Sequence, residues 1–326
     1  MITTVTMNAS IDKAYFMDHT IENGTVMRVA RCRNSAGGKG LNVARAIKLC
    51  GEKVQATGIT GGFNGQYLES MLARDGIAYH FGHMEGETRC CINILDEGYG
   101  STEYLEPGSE ISAEEEARFI EQLPEIVKDS EIVTISGSVP CGMGKDIYAK
   151  IITKLKEAGK KVILDTSGVL LQEGMKAAPT LVKPNQDELE LLFDTKIHSM
   201  DEVIKYAVEI HESGIPYVAV SLGGEGALLV CEEGIYHGKP PKIQVVNTVG
   251  CGDSMVGGFA VALKRNYRAE EALSYAVAVS AANALSPNTG DFDPVEYQKI
   301  YDQVVVEKLR YGYTYPGLFK VPDSAS

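Results

Sequence analysis

The segment from about residue 131 to 285 constrains the fold most, because β-type runs and amphipathic helix-type runs alternate through it. Ile132–Ile135, Lys161–Leu164, Thr180–Val182 and Tyr217–Leu222 read as strands. Lys145–Ala158, Asp187–Phe193, Asp201–Ser213 and Ala269–Leu285 read as helices. Such alternation requires right-handed crossovers, so the fold class is α/β with a doubly wound, mostly parallel sheet. The strands end in Ser136-Gly-Ser-Val-Pro140, Asp165-Thr-Ser167, Lys183-Pro-Asn185 and Gly223-Gly-Glu-Gly226. Open α/β sheets bind ligands at the carboxyl ends of their strands, so this shared placement predicts a site along one edge.

The β-branched run Ile243–Val246 leads into Asn247-Thr-Val-Gly-Cys-Gly-Asp-Ser-Met-Val-Gly-Gly-Phe259. Gly250 and Gly252 let the backbone turn tightly and present bare N–H groups. The helix that starts beyond them adds its own unpaired amides and a partial positive charge, which makes an anion site. Asp253 lies at the same positive end. It serves either as an N-cap after a glycine turn or as a base taking a hydroxyl proton beside the anion cradle. Cys251, between the two glycines, either fills the space of an alanine or is a thiol modestly activated by the amides.

Residues 2–7 read as a first strand, followed by the turn-prone Asn8-Ala-Ser-Ile-Asp12. Two short strands, Ala14–Met17 and Val26–Cys32, flank the hairpin signal Glu22-Asn-Gly24. Thr88–Leu95 and Thr102–Leu105 flank Asp96-Glu-Gly-Tyr-Gly100. Together they predict a four-stranded lid standing off the body. Ser35-Ala-Gly-Gly-Lys-Gly-Leu-Asn42 opens a helix with Val43, Ala46, Ile47 and Cys50 on one face. Lys39 is followed by Gly40 and Leu41, so this is not a Walker A loop. Lys39 and Asn42 either meet a phosphate or sugar at the helix start or are solvated there. The final helix is read over Pro294–Leu309, and 311–326 as a peripheral tail.

A net charge of −13 argues against a nucleic-acid or anionic-membrane binder. There is no basic-then-apolar leader and no run of about 18 apolar residues, so a cytoplasmic enzyme is the expectation. Seven cysteines without a Cys-x-x-Cys pair read as reduced thiols. No Gly-x-Gly-x-x-Gly follows the first strand, which sets aside a dinucleotide-dependent oxidoreductase.

These motifs, with Gly86-Glu-Thr-Arg89, Val182-Lys-Pro-Asn-Gln-Asp-Glu188 and Ser221-Leu-Gly-Gly-Glu-Gly226, occur in the order seen in the ribokinase-like (PfkB) carbohydrate kinases. The chain resembles that family, and within it the branch of 1-phosphofructokinases and tagatose-6-phosphate kinases, over roughly residues 1–305. The resemblance implies a kinase domain at 1–310 with lid strands at about 13–33 and 88–106. It implies Asp253 as general base, with Gly250, Cys251 and Gly252 forming the anion hole. Asp12 and Asn42 match residues that fix sugar hydroxyls, with Gly37 and Gly38 allowing close approach. Lys39, Arg28, Arg89 and Ser138 look like the clamp on the sugar phosphate. Lys183, Ser221, Gly223, Gly226, Thr248 and Asn283 look like the ATP side, Asn283 near the adenine, and Asn185 with Glu188 like the Mg²⁺ pair. The resemblance also admits K⁺ as a cofactor and a homodimer through the lid.

Two departures stand out. The family motif has Ala where this chain has Cys251, and Cys90-Cys91-Ile-Asn93 follows Arg89, closer to the tagatose-6-phosphate kinase form. The implied reaction converts a ketohexose monophosphate to a 1,6-bisphosphate. Its rivals are a family member acting on another sugar or a nucleoside, and a non-catalytic sugar-phosphate sensor. Arg28, Lys39 and Arg89 argue against a neutral sugar, and the presence of Asp253 argues against a sensor.

Overall fold

The computed structural model describes residues 1–309; the tail expected at 311–326 lies outside them. Strand β1 (Ile2–Thr6) is followed by β2 (Ser10–Phe16) and β3 (Arg31–Gly37), which leave the body, and by α1 (Lys39–Leu49), which returns to it. Then come β4 (Val54–Gly61), α2 (Gly62–Arg74), β5 (Ala78–Tyr79) and β6 (Gly82–Met84). A second excursion forms β7 (Arg89–Asp96) and β8 (Gly100–Leu105). The alternating series is α3 (Ala113–Ile126), β9 (Ile132–Ser136), α4 (Ile147–Glu157), β10 (Lys161–Asp165), α5 (Gly168–Met175) and β11 (Leu181–Val182). It continues through α6 (Gln186–Phe193), α7 (Met200–Glu212) and β12 (Tyr217–Ser221). The hairpin β13 (Ala227–Cys231) and β14 (Gly234–Lys239), then α8 (Cys251–Lys264), α9 (Ala269–Asn283), α10 (Pro294–Tyr301) and β15 (Val305–Leu309) finish the described chain.

The main sheet runs in the order β15-β14-β13-β12-β11-β10-β9-β1-β4-β5, with β6 also pairing β4. From β12 to β5 the pairs are parallel, and β13, β14 and β15 extend one edge antiparallel. Its central strands are buried on both faces, as parallel strands between helical layers must be. Ile132 and Ile163 face the core made with α1, α8 and α9, around Phe259 and Leu273. Val133, Ile135, Val162 and Leu164 face the opposite core, with Phe119, Tyr148 and Leu155. The expected doubly wound, mostly parallel sheet is present.

The lid is a separate sheet in the order β3-β2-β7-β8. Its strands lie at 10–37 and 89–105 rather than 13–33 and 88–106. The register, Ser10 opposite Gly37 and Phe16 opposite Arg31, explains the shift. Pairing of β2 with both β3 and β7 draws Ser35-Ala-Gly37 into a strand, although the glycines there weaken any local preference for one. The helix expected over Pro294–Leu309 is also corrected: it ends at Tyr301, and Val305–Leu309 adds β15 to the open edge of β14. The β-branched Val304-Val-Val306 suits that pairing better than a helix.

Candidate active site

The first turn of α8 carries the centre of the site. Gly250 precedes the helix in the left-handed region at φ 82°, where a Cβ would also stand 2.5 Å from the Thr289 methyl. That turn aims Asp253 inward, leaving it 6% exposed. Asn42, one turn into α1, donates from Nδ2 to Asp253 Oδ2 at 2.8 Å. Arg45 donates to Asn42 Oδ1 at 2.9 Å, which fixes the amide's orientation. One carboxylate oxygen is thereby anchored and Oδ1 is left for a ligand hydroxyl. Burial, then the nearby charge of Asp165, pushes the Asp253 pKa up to about 6, against the pull of Lys39, Asn42 and Lys183. A base with a pKa near the working pH is well matched to proton removal from a hydroxyl.

Asp253 opens into a cleft of about 1320 Å³ between lid and body, whose lining includes Asp12, Gly38, Lys39, Asn42, Arg89 and Ser138. The backbone of Gly250 and Gly252 reaches the same cleft. Asp12, on β2, accepts from Ser10 Oγ at 2.6 Å. Burial raises its pKa, and the Ser10 hydroxyl, Arg45 and Arg89 oppose that rise. A Cβ at Gly37 would stand 2.0 Å from the Asp12 carboxyl carbon, so this strand pairing needs glycine there. Arg89 donates through Nε and Nη2 to Asn8 O and through Nη1 to Glu106 O, spanning the points where the chain enters and leaves the lid. Ser138 Oγ accepts from Asn8 Nδ2 at 3.3 Å, on the same seam.

The residues expected on the nucleotide side lie outside this cleft's lining. Asn185 bridges to Ser221 at the ends of neighbouring strands. The Gly223–Glu225 turn is open: a Cβ on Gly223 or Gly224 would meet nothing within 4 Å. Gly226 closes the turn by donating to Gly223 O and accepting from Leu222 N. Thr248 is exposed, and its carbonyl accepts from Cys251 N at the mouth of the anion hole.

Asn185 and Glu188 form a capping box at the start of α6: Asn185 Oδ1 accepts Glu188 N at 2.8 Å and Glu188 Oε2 accepts Asn185 N at 2.9 Å. Among the described residues no group of three or more His, Cys, Asp or Glu side chains gathers to hold a metal. Asn185 and Glu188 would hold a Mg²⁺ ion only through the waters and nucleotide oxygens that such an ion keeps.

Two expectations need correction. Arg28 is exposed on the irregular loop between β2 and β3 and does not line the cleft; Arg33, which sequence reasoning passed over, does. Asn283 is fully buried and does not face a nucleotide. Its Oδ1 accepts from Gly290 N, Asp291 N and Ser254 Oγ, and its Nδ2 donates to Val249 O and Cys251 Sγ, welding the anion-hole loop to the chain beyond α9. Of the two readings of Cys251, the packed thiol is the one its surroundings favour. Burial raises its pKa, Asp253 adds to the rise, and the Asn283 amide only partly offsets them. Lys39 lines the cleft with Arg89 and Ser138 and also reaches toward Asp165. It is half-exposed, its Nζ 3.8 Å from Asp165 Oδ2, and the charges of Asp165, Asp253 and Glu188 raise its pKa against desolvation.

The profile of pfkB family carbohydrate kinases matches residues 5–296. The chain belongs to the pfkB family of carbohydrate kinases. A tagatose-6-phosphate kinase of Staphylococcus epidermidis is 40% identical over 309 residues, covering 94% of this chain and 99% of that protein. Phosphofructokinase-2 from Escherichia coli in complex with potassium superposes with a TM-score of 0.87 at 34% identity, covering 92% of this chain and 98% of the other. Its complex with fructose-6-phosphate gives a TM-score of 0.81 at 33% identity and the same coverage. Among the kinase's described residues no helix is long and apolar enough to cross a membrane.

Proposed function

We propose that this kinase transfers the terminal phosphoryl group of ATP to a free hydroxyl of a ketohexose 6-phosphate, giving the 1,6-bisphosphate, with tagatose 6-phosphate as its substrate. The observation that carries the reading is the buried Asp253, anchored through Asn42 beside the anion hole and open to the cleft that holds Asp12 and Arg89. Two relatives whose names specify a 6-phosphorylated ketohexose add support for the sugar.

In this mechanism Asp12 fixes sugar hydroxyls, and Arg89 meets the existing phosphate with the N–H groups its backbone bonds leave free. Asp253 Oδ1 takes the proton of the attacking hydroxyl while Asn42 holds the other oxygen still. The amides of Gly250 and Gly252 and the α8 dipole stabilise charge on the transferring group. Mg²⁺, when bound with ATP near Asn185 and Glu188, neutralises charge on the nucleotide oxygens. Positioning and electrostatics carry most of phosphoryl-transfer catalysis, which suits a site built from amides, lysines and one base.

The lid presents β3 and β8 as open edges, with Tyr104 and Leu105 exposed. Soluble proteins seldom leave such edges uncovered, so pairing with a second lid belongs to the proposal. Sedimentation showing a concentration-independent monomer, with and without sugar phosphate, would remove that part.

Coupled assays with tagatose 6-phosphate, fructose 6-phosphate and fructose 1-phosphate, run in K⁺ and in Na⁺, test the whole reading. The highest kcat/KM is expected with tagatose 6-phosphate. Turnover confined to fructose 1-phosphate would overturn the sugar assignment, and a rate that rises with K⁺ would assign a monovalent cofactor.

A further inference from the structure

Strand β10 ends in Asp165, a carboxylate that is 1% exposed. Its Oδ1 lies 3.1 Å from Lys183 Nζ and its Oδ2 3.8 Å from Lys39 Nζ. Among the described residues neither oxygen accepts a well-directed hydrogen bond. Burying a charge without hydrogen bonds is strongly unfavourable, so this carboxylate is held by the two ammonium groups alone.

The two lysines come from opposite sides of the site. Lys183 directly follows β11, on the nucleotide side, and is 5% exposed. A Cβ built at Gly252 would stand 3.6 Å from its Nζ, which puts that ammonium against the anion hole. Lys39 opens α1 on the sugar side, within the field of Asp253. Neither lysine has another carboxylate within 4.0 Å among the described residues.

We propose that Asp165 is a positioning residue for phosphoryl transfer: it holds Lys183 and Lys39 together beneath the anion hole, so that both ammonium groups meet the phosphoryl group as it moves. The proposal deepens the kinase reading above and rests on it. Asp165 touches neither sugar nor base and acts through the lysines. It also sets the charge balance at the base. The charged groups that face Asp253 are Asp165, Lys39 and Lys183, and Asp165 is the one that favours its protonated form.

The test uses Asp165→Asn, which keeps the shape and removes the charge, with Lys183→Met and the double variant. Affinity for a non-hydrolysable ATP analogue with Mg²⁺, read by calorimetry without sugar, should fall about tenfold in Asp165→Asn, in line with a lost charge-assisted contact. In the Lys183→Met background the same change should have little further effect, because contacting residues couple. The acid limb of kcat should move to lower pH in Asp165→Asn, since the like charge is gone and the lysines remain. A purely structural role would lower the melting temperature and leave the limb in place. Full additivity with Lys183→Met, or a limb unchanged from wild type, overturns the proposal. If Asp165→Asn does not fold, the double variant, in which only the half-exposed Lys39 loses its partner, replaces it. It should fold and match Lys183→Met in affinity and in kcat, and a further loss in either overturns the proposal. Wild type that phosphorylates none of the sugars would sink the kinase reading instead, and the sugar-free calorimetry separates the two failures.

Discussion

The two halves of the site are built differently. On the sugar side, side chains from three elements are already interlocked: Arg45 holds Asn42, Asn42 holds Asp253, and Ser10 holds Asp12. On the nucleotide side, Asn185 and Glu188 spend their bonds on each other, and the Gly223–Glu225 turn faces open space. The sugar half is thus preorganised, which lets binding energy go into the transition state. The nucleotide half offers a surface that ATP and Mg²⁺ must complete. Changes in the first half should therefore fall on kcat and on the sugar, with the KM for ATP left almost alone.

The sharpest way to break that contrast is Asp253→Asn. kcat should fall by at least about 10²-fold, the low end for loss of a general base, with the KM for ATP nearly unchanged. A variant keeping more than about a tenth of the rate would remove Asp253 from the base role. Stability should move the other way. The folded pKa of about 6 lies above the ordinary value of 3.8, so the folded state holds the proton more tightly and wild type loses stability as pH rises between those values. Asp253→Asn escapes that loss. Its melting temperature should exceed wild type at pH 8 and converge with it near pH 4. In wild type the same pKa predicts that kcat falls as pH drops through about 6.

Arg89→Ala comes next in size. It removes a charge-assisted contact of roughly 1.5–3 kcal/mol, so the KM for the sugar phosphate should rise about ten- to a hundredfold. The KM for ATP should hardly change. Because Arg89 also ties Asn8 O to Glu106 O, the variant should show faster amide exchange where the chain joins the lid. A mainly nucleotide-side effect would place Arg89 on the wrong ligand and blur the two halves.

The same contrast governs what could be read from the sequence. The parallel sheet was legible because buried strands and amphipathic helices leave periodic patterns that survive without tertiary context. The lid's existence was legible too, but its register was not: Ser35-Ala-Gly37 has no local preference for a strand and becomes one only beside β2. The segment of β15 reads locally as helix for a related reason, since pairing with the distant β14 decides it. In the site, glycine turns and helix starts mark Asp253 and Asn42, which the fold brings into one hydrogen bond. Asp165 was visible as a carboxylate ending a strand, yet nothing local marked it as the partner of Lys39 and Lys183. Asn283 misleads because an amide on a helix reads alike whether it faces a ligand or two backbone segments.

The smallest expected effect tests the boundary between the halves. Cys251 Sγ points away from the anion hole, 3.9 Å from Asn247 O and 3.5 Å from Asn283 Nδ2, while the residue's backbone stays within the hole. The amide donates to Thr248 O within the turn, and the thiol is packing. Desolvation and the Asp253 carboxylate both disfavour a thiolate, so the reactive fraction at neutral pH is small. Cys251→Ala should keep kcat and both KM values within about twofold, as expected for a change that removes no hydrogen bond to substrate. Iodoacetamide should inactivate wild type and variant at the same rate, whatever that rate is, because exposed Cys32 and Cys141 react first. Resistance gained in Cys251→Ala, together with protection of wild type by ATP, would show that the thiol does reach the phosphate side. The packed anion-hole loop would then be more open than its bonds to Asn283 imply.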